Sequence, residues 1–262
     1  MGIMRTFVTA AAIAAFASSV AAETAETGFL NRSVVVGGAE YRYEVYVPRT
    51  YRHATALPLI LALHGVGECG DDGQLQTDVG LGTALRQHAD RYPAIVVFPQ
   101  APLDATWQGL GAQVALAALD KSLEEFNIDK SRVYLTGLSM GGNGCWYLAY
   151  HHADRFAALV VICGWVSALR VAGSEYPAIA SSSAADPFTD VAQRVSRLPI
   201  WIFHGDADRI VPVEESRRMA SALRAAGADV LYTELPGAGH NAWDPAYALA
   251  ELPAWLLKQR RP

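Results

Sequence analysis

Four short runs in this chain carry no charged side chain: Leu57-Pro58-Leu59-Ile60-Leu61-Ala62-Leu63, Ala94-Ile95-Val96-Val97-Phe98-Pro99, Phe156 to Cys163, and Leu198-Pro199-Ile200-Trp201-Ile202-Phe203. Each has the length of a strand and no polar side to turn to water. Each therefore reads as a strand covered on both faces, which is the habit of parallel sheets. Between and after them, Val79 to Asp90, Ala112 to Phe126 and Val213 to Ala226 read as helices, the last stopped by Gly227. Strands that alternate with helices in this way call for an α/β fold: a mostly parallel, doubly wound sheet of about eight strands with helices on both faces. In such sheets ligands gather at the carboxyl ends of the strands.

The rest of the chain fits round that frame. Ser33 to Gly38 and Tyr41 to Pro48 form a hairpin about Gly37-Gly38, and the second strand alternates apolar and charged residues. That alternation predicts an antiparallel edge with one wet face. Arg132 to Leu135 is a short buried strand entered through a turn at Asp129-Lys130-Ser131, and Val230 to Leu235 is the last strand. Pro245 to Gln259 is expected to close the chain as one helix, and Gly164 to Pro187, rich in Ser, Ala and Gly, to form a cap or loop over the top of the sheet. At 262 residues, 52% hydrophobic and 18% charged, the sequence describes one packed domain. A net charge of −5 leaves no electrostatic footprint for nucleic acid, and the small cluster Lys258 to Arg261 reads as a solvated helix end.

Residues 1–22 are of a different kind. Arg5, the apolar run Phe7 to Phe16 and the small residues Val20-Ala21-Ala22 have the layout of a signal peptide cleaved before Glu23. The expectation is a catalytic domain over 23–262, periplasmic or secreted, with no stable membrane insertion after cleavage. Cys69, Cys145 and Cys163 allow at most one bridge, and the last two read as buried packing residues. No Cys-x-x-Cys or His/Cys cluster has metal spacing, so neither metal nor cofactor is expected.

The chemistry is concentrated in Thr136-Gly137-Leu138-Ser139-Met140-Gly141-Gly142. A strand precedes it and a helix, Asn143 to His152, follows, so the chain must bend hard at Ser139. The glycines have no Cβ to obstruct that bend. The turn leaves the serine hydroxyl at the tip, and the first helical amide, that of Met140, points at whatever the serine attacks. This unit resembles the nucleophile elbow of the alpha/beta-hydrolases.

A serine hydroxyl needs a base to take its proton and a carboxylate to orient the base. In the superfamily these follow in the order Ser, acid, His, each after a strand. The resemblance then implies His240 as base, since it alone of seven histidines follows the last strand. It implies Asp208 as acid, because Gly205-Asp206-Ala207-Asp208-Arg209-Ile210-Val211-Pro212 resembles the G-x-x-D-x-x-V-P of relatives. Asp206 is the alternative acid, with holding the turn as its competing role. His64-Gly65-Val66-Gly67 resembles the H-G-x-G turn, which implies the Val66 amide as the second oxyanion donor beside that of Met140. His64 and His204 are expected to be structural. Trp107, Trp165 and Trp243 are candidates to wall an acyl or aryl pocket, with core or rim packing as the competing reading.

From Tyr41 to Arg261 the order and spacing of these words are similar to secreted esterases, namely feruloyl esterases and poly(3-hydroxybutyrate) depolymerase-like esterases, and to predicted peptidases of the prolyl oligopeptidase and dienelactone hydrolase type. Dienelactone hydrolases carry a cysteine where Ser139 stands, and the propeller of a prolyl oligopeptidase has no room here. The resemblance implies a cofactor-free carboxylic-ester hydrolase acting on a small-molecule or polymer-linked ester. A peptidase with the same machinery and a noncatalytic binding protein on the same fold are its rivals.

Overall fold

The computed structural model describes residues 1–2, 25–171, 173–180 and 184–261. The expected signal peptide lies almost wholly outside the described residues. Strands β1 (Gly28–Val36) and β2 (Ala39–Val47) pair antiparallel about Gly37 and Gly38, whose φ angles of 58° and 85° are those a tight turn asks of glycine. The chain continues through β3 (Leu57–Leu63), α1 (Leu81–His88), β4 (Ile95–Pro99), α2 (Leu110–Glu125), β5 (Ile128–Leu138), α3 (Met140–His152) and β6 (Ala158–Ile162). A small hairpin, β7 (Leu169–Val171) and β8 (Ser174–Tyr176), comes next. Then follow α4 (Pro187–Val195), β9 (Ile200–Gly205), α5 (Glu214–Ala225), β10 (Val230–Leu235), α6 (Trp243–Ala248) and α7 (Glu251–Leu256).

Eight strands form one sheet in the order β1-β2-β4-β3-β5-β6-β9-β10, and all pairings beyond β2 and β4 are parallel. This is the expected α/β architecture. Residues alternate between the two faces, as the pleat requires. In β3, Leu59, Leu61 and Leu63 meet the core under α2, α3, α4 and α5, while Ile60 and Ala62 meet the core under α1, α6 and α7. From β3 the chain passes to β4 on one side and then crosses to β5 on the other. The loops after β3 and β5 therefore part over a crevice, the place where ligands enter such sheets.

Several expectations need correction. Strand β2 is not an edge: it lies between β1 and β4, and Tyr43 to Val47 are buried throughout, Glu44 included. Over Tyr43 to Val47 the alternation has no wet face because α2 lies on one side and α1 on the other, while Glu40 and Arg42 earlier in the strand stay exposed. Asp129-Lys130-Ser131 lies inside β5, where two residues of β3 span five of β5, so it is a bulge rather than a turn before the strand. The closing helix is two helices. Pro253 has no amide for the carbonyl of Leu249 and its ring would strike it, so the chain is extended at Leu249 before α7 begins. Helix α4 follows the cap in a stretch for which no element was expected. Asp186 caps it by accepting the Thr189 amide at 3.0 Å, with Pro187 in the first turn. No helix among the described residues is long and apolar enough to cross a membrane.

Candidate active site

Strand β5 runs to Leu138, the Ser139 amide still donates to the Ile162 carbonyl of β6 at 2.9 Å, and the next residue opens α3. The whole reversal falls on Ser139, whose φ of 53° and ψ of −117° are strained for any side chain but glycine's. The neighbouring glycines make the reversal possible. A Cβ on Gly141 would stand 2.1 Å from the Leu63 carbonyl oxygen, and one on Gly137 2.3 Å from that of Gly141. Helix α3 can therefore cross β3 and β5 at backbone contact.

The structure brings Ser139, His240 and Asp208 into one row. Ser139 Oγ is 2.8 Å from His240 Nε2, and His240 Nδ1 is 2.7 Å from Asp208 Oδ2. A carboxylate oxygen accepts only, so Nδ1 carries the ring hydrogen and Nε2 turns its lone pair to the serine. The serine comes from the end of β5, the acid from the loop after β9 and the imidazole from the loop after β10. The Asp208 side chain is wholly buried, while that of His240 keeps 20% exposure. Burial by itself would raise the Asp208 carboxyl. Hydrogen bonds from His204 and His240 and the amides of Ile210 (2.8 Å) and Val211 (3.0 Å) outweigh it and hold the group below the usual carboxylate range.

Asp206 is not in this row. It accepts the Gly237 amide at 2.6 Å and ties the loop after β9 to that after β10. His64 is buried, accepts the Ala101 amide on Nε2 at 2.9 Å and faces the Gly65 carbonyl with Nδ1 at 2.6 Å. Desolvation pushes it down to about 4, and the bond to Gly65 opposes this only in part. It is a structural histidine. His204 is buried as well, but it reaches the acid: its Nε2 is 3.2 Å from Asp208 Oδ2. A second unforeseen neighbour is Cys163, whose φ of 40° turns the residue back at the end of β6. Its Sγ lies within 4.8 Å of an Asp208 oxygen and a His240 ring nitrogen.

Of the two expected oxyanion donors, Met140 begins α3, so its amide precedes the helix's own bonding. Val66 begins a short 3₁₀ turn after β3 and is 36% exposed. Gly65 lets that turn lie close against the elbow, since a Cβ there would be 3.0 Å from Leu138 Cδ1 and 3.1 Å from Glu68 Oε2. Its amide is fastened to the Glu68 carboxylate at 2.9 Å.

The tryptophans divide. Trp243 is half-buried and sets its ring edge-on to His240, with centroids 5.4 Å apart. Trp107 and Trp165 are fully buried, which corrects their expected place on a pocket wall. Trp107 donates Nε1–H to the His64 carbonyl at 2.9 Å and lies under Gly144, where a Cβ would be 2.3 Å from its own. Trp165 packs edge-on to Tyr176 of β8 at 5.0 Å, and its indole N–H has no hydrogen-bond partner among the described residues.

The chain is similar to several known proteins. The solved structure of a thermostable esterase has 30% sequence identity and a TM-score of 0.72, covering 89% of this chain and 63% of that one. Acetylxylan esterase A of Emericella nidulans is 27% identical over 192 residues, 63% of this chain and 60% of that protein. Feruloyl esterase B of Neurospora crassa is 26% identical over 202 residues, 65% and 64% of the two. The chain thus spans less than two thirds of the length of each of these relatives. Residues 106–260, which run from before α2 to beyond α7 and include the whole row from serine to acid, match the Prolyl oligopeptidase family. That match takes in more than half of the sequence, and with the strand order and the elbow it establishes that this alpha/beta-hydrolase chain belongs to the prolyl oligopeptidase family.

Proposed function

We propose that this protein is an exported serine hydrolase that cleaves carboxylic esters through an acyl-enzyme, with residues 1–22 as signal peptide and 23–262 as catalytic domain. The observation that carries the reading is the unbroken row of hydrogen bonds from Ser139 through His240 to Asp208. In the first half-reaction Ser139 Oγ attacks the acyl carbon while His240 Nε2 takes its proton. Asp208 steadies the imidazolium, and the carbonyl oxygen becomes an oxyanion held by the amides of Met140 and Val66. Collapse breaks the ester C–O bond, and the alcohol leaves with the proton from His240. Water then repeats the sequence on the acyl-serine and frees the acid. No cofactor enters either half.

The substrate class we favour is a small or polymer-linked ester with a short acyl or aryl group. Trp243, edge-on to the base, offers an apolar surface where the alcohol or acyl group meets His240. The acetylxylan and feruloyl esterases among the relatives favour the same class. The family match favours a second reading, peptide hydrolysis by the same residues.

The test is hydrolysis of p-nitrophenyl acetate, methyl ferulate and a prolyl peptide anilide by the purified protein and by Ser139→Ala. Ester cleavage that vanishes in the variant supports the proposal. Cleavage of the anilide alone selects the peptidase. Ester cleavage left unchanged by Ser139→Ala refutes the mechanism.

A further inference from the structure

His204 holds a place that packing alone does not explain. It is the next-to-last residue of β9, fully buried, and its ring is gripped on both nitrogens. Nδ1 is 2.7 Å from the hydroxyl of Ser216 on α5, while Nε2 is 3.0 Å from the Val211 carbonyl and 3.2 Å from Asp208 Oδ2. Both neighbours of Nε2 are acceptors. Nε2 therefore carries the hydrogen and shares it between them, and Nδ1 is left to accept from Ser216. Ser216 is itself buried, so the ring has no freedom to turn away.

One carboxylate oxygen, Asp208 Oδ2, consequently faces two imidazole N–H groups. The hydrogen bond from His240 is short at 2.7 Å, whereas His204 Nε2 stands at 3.2 Å and shares its N–H with the nearer Val211 carbonyl at 3.0 Å. The other oxygen takes two backbone amides. We propose that His204 is a positioning residue for the reaction: by donating to Asp208 Oδ2 it fixes the carboxylate in line with His240 and takes up part of the charge on that oxygen. The proposal rests on the triad reading above and adds a fourth member to it.

The consequence is a readout that a merely structural residue would not move. A carboxylate relieved of one donor carries more negative charge on Oδ2 and stabilises the imidazolium of His240 more strongly. The acid limb of kcat/KM, which reports the free enzyme's base, then moves to higher pH. Other ionisable groups face the same pocket. They are the Cys163 thiol after β6 and Glu234, the register partner of His204 on β10, itself paired with Arg217 of α5. Bonds from Arg217 and Tyr232 hold the Glu234 carboxyl down to about 2 and burial pushes the Cys163 thiol far up, so both titrate well away from the acid limb and the movement is assignable.

The experiment compares His204→Gln with His204→Asn in the full chain. Both replace the ring by a buried amide, but only the longer one brings an N–H to where Nε2 stands. The Gln variant is expected to keep the wild-type acid limb and most of kcat. The Asn variant is expected to move the limb up by about 0.5 to 1 pH unit, a hydrogen-bond-sized shift, and to lose about tenfold or more in kcat through misplacement of the row, with KM little changed. Limbs unmoved in both variants, or equal losses of kcat in both without movement, overturn the proposal.

Should neither variant fold, imidazole nitrogen shifts in the unmodified protein decide it. A hydrogen on His204 Nε2 and a bare Nδ1 support the proposal, and the opposite tautomer ends it. Ser139→Ala in the same assay separates the two levels. Activity that survives it removes the triad reading itself, whereas activity that disappears with His204 variants indistinguishable from wild type removes only the role of His204.

Discussion

The Glu215 carboxylate accepts the backbone amides of Val166 and Ser167, at 2.9 and 3.1 Å, and the Ser167 hydroxyl as well. One buried acid in the first turn of α5 thus fastens the first residues of the cap to the body of the domain. Two further ties hold the same stretch: Asn143 Nδ2 donates to the Trp165 carbonyl at 3.0 Å, and the Ile179 amide donates to that of Val166 at 3.0 Å. Glu215→Ala leaves two buried amides without an acceptor, at a cost of about 2 to 3 kcal/mol for hydrogen bonds to a charged group. Urea denaturation is expected to show that loss. Limited proteolysis should cut within 168–187 earlier than in wild type, since local opening there no longer breaks the anchor.

The elbow depends on backbone approach more than on side chains. At Gly141 an added Cβ would be 2.1 Å from the Leu63 carbonyl oxygen, whereas at Gly67 it would meet nothing within 4 Å. Gly141→Ala is expected to destabilise the fold by about 3 kcal/mol or more, because β3 and α3 would have to part. Gly67→Ala is expected to stay within about 0.5 kcal/mol, as surface substitutions do. Thermal melts of the pair, measured at one pH, check both.

Acid should weaken the fold through His64. Burial pushes this imidazole from 6.5 down to about 4, so between those values the unfolded chain binds a proton that the folded chain refuses. Stability is therefore full above pH 6.5 and falls as the pH drops toward 4, by about 3 kcal/mol from this group. Urea midpoints at pH 7 and pH 4.5 are expected to differ accordingly. His64→Gln, though less stable throughout, is expected to show a flatter dependence.

The three tryptophans separate by measurement. Trp107→Phe removes the donor to the His64 carbonyl and is expected to cost about 1 to 3 kcal/mol of stability, the penalty for an unsatisfied buried acceptor. Trp165→Phe removes an N–H that has no hydrogen-bond partner among the described residues, so the lost packing is offset by relief of desolvation and the change stays within about 1 kcal/mol. Neither is expected to alter KM for p-nitrophenyl esters. Trp243→Ala, at the mouth of the site, is expected to change kcat/KM with little change in melting temperature.

The strands the chain declared most plainly are those with both faces dry. β3 lies at Leu57–Leu63 and β4 at Ile95–Pro99, within a residue of their reading from composition alone. The elbow was legible for a different reason: G-x-S-x-G is a statement about backbone space, and glycine is the residue that makes it. Lateral order was less accessible. The alternation in β2 describes a half-wet strand, which holds for Glu40 and Arg42, but cover from two helices buried Tyr43 to Val47, and neither helix is encoded in β2 itself. The break before α7 had its signal in Pro253, and the cap of α4 had one in Asp186-Pro187.

Other features had no local mark. A tryptophan on a loop looks the same whether it turns inward, as Trp107 and Trp165 do, or toward the mouth, as Trp243 does. His204 read as an ordinary strand-end histidine because its bond to Asp208 depends on how α5 and the loop after β9 close round it. Ser139 and His240 stand 101 positions apart, and only the sheet order brings them to 2.8 Å.

None of the three thiols is bridged and all are buried, with burial pushing Cys69 up to about 11 and Cys145 and Cys163 higher still. Alkylating reagents therefore find no reactive handle on the resting molecule. The sulfur of Cys163 lies within 4.8 Å of a His240 ring nitrogen. The pace at which a small iodoacetamide tags that one position is expected to time any opening of the structure beside the base, with no label added to the protein.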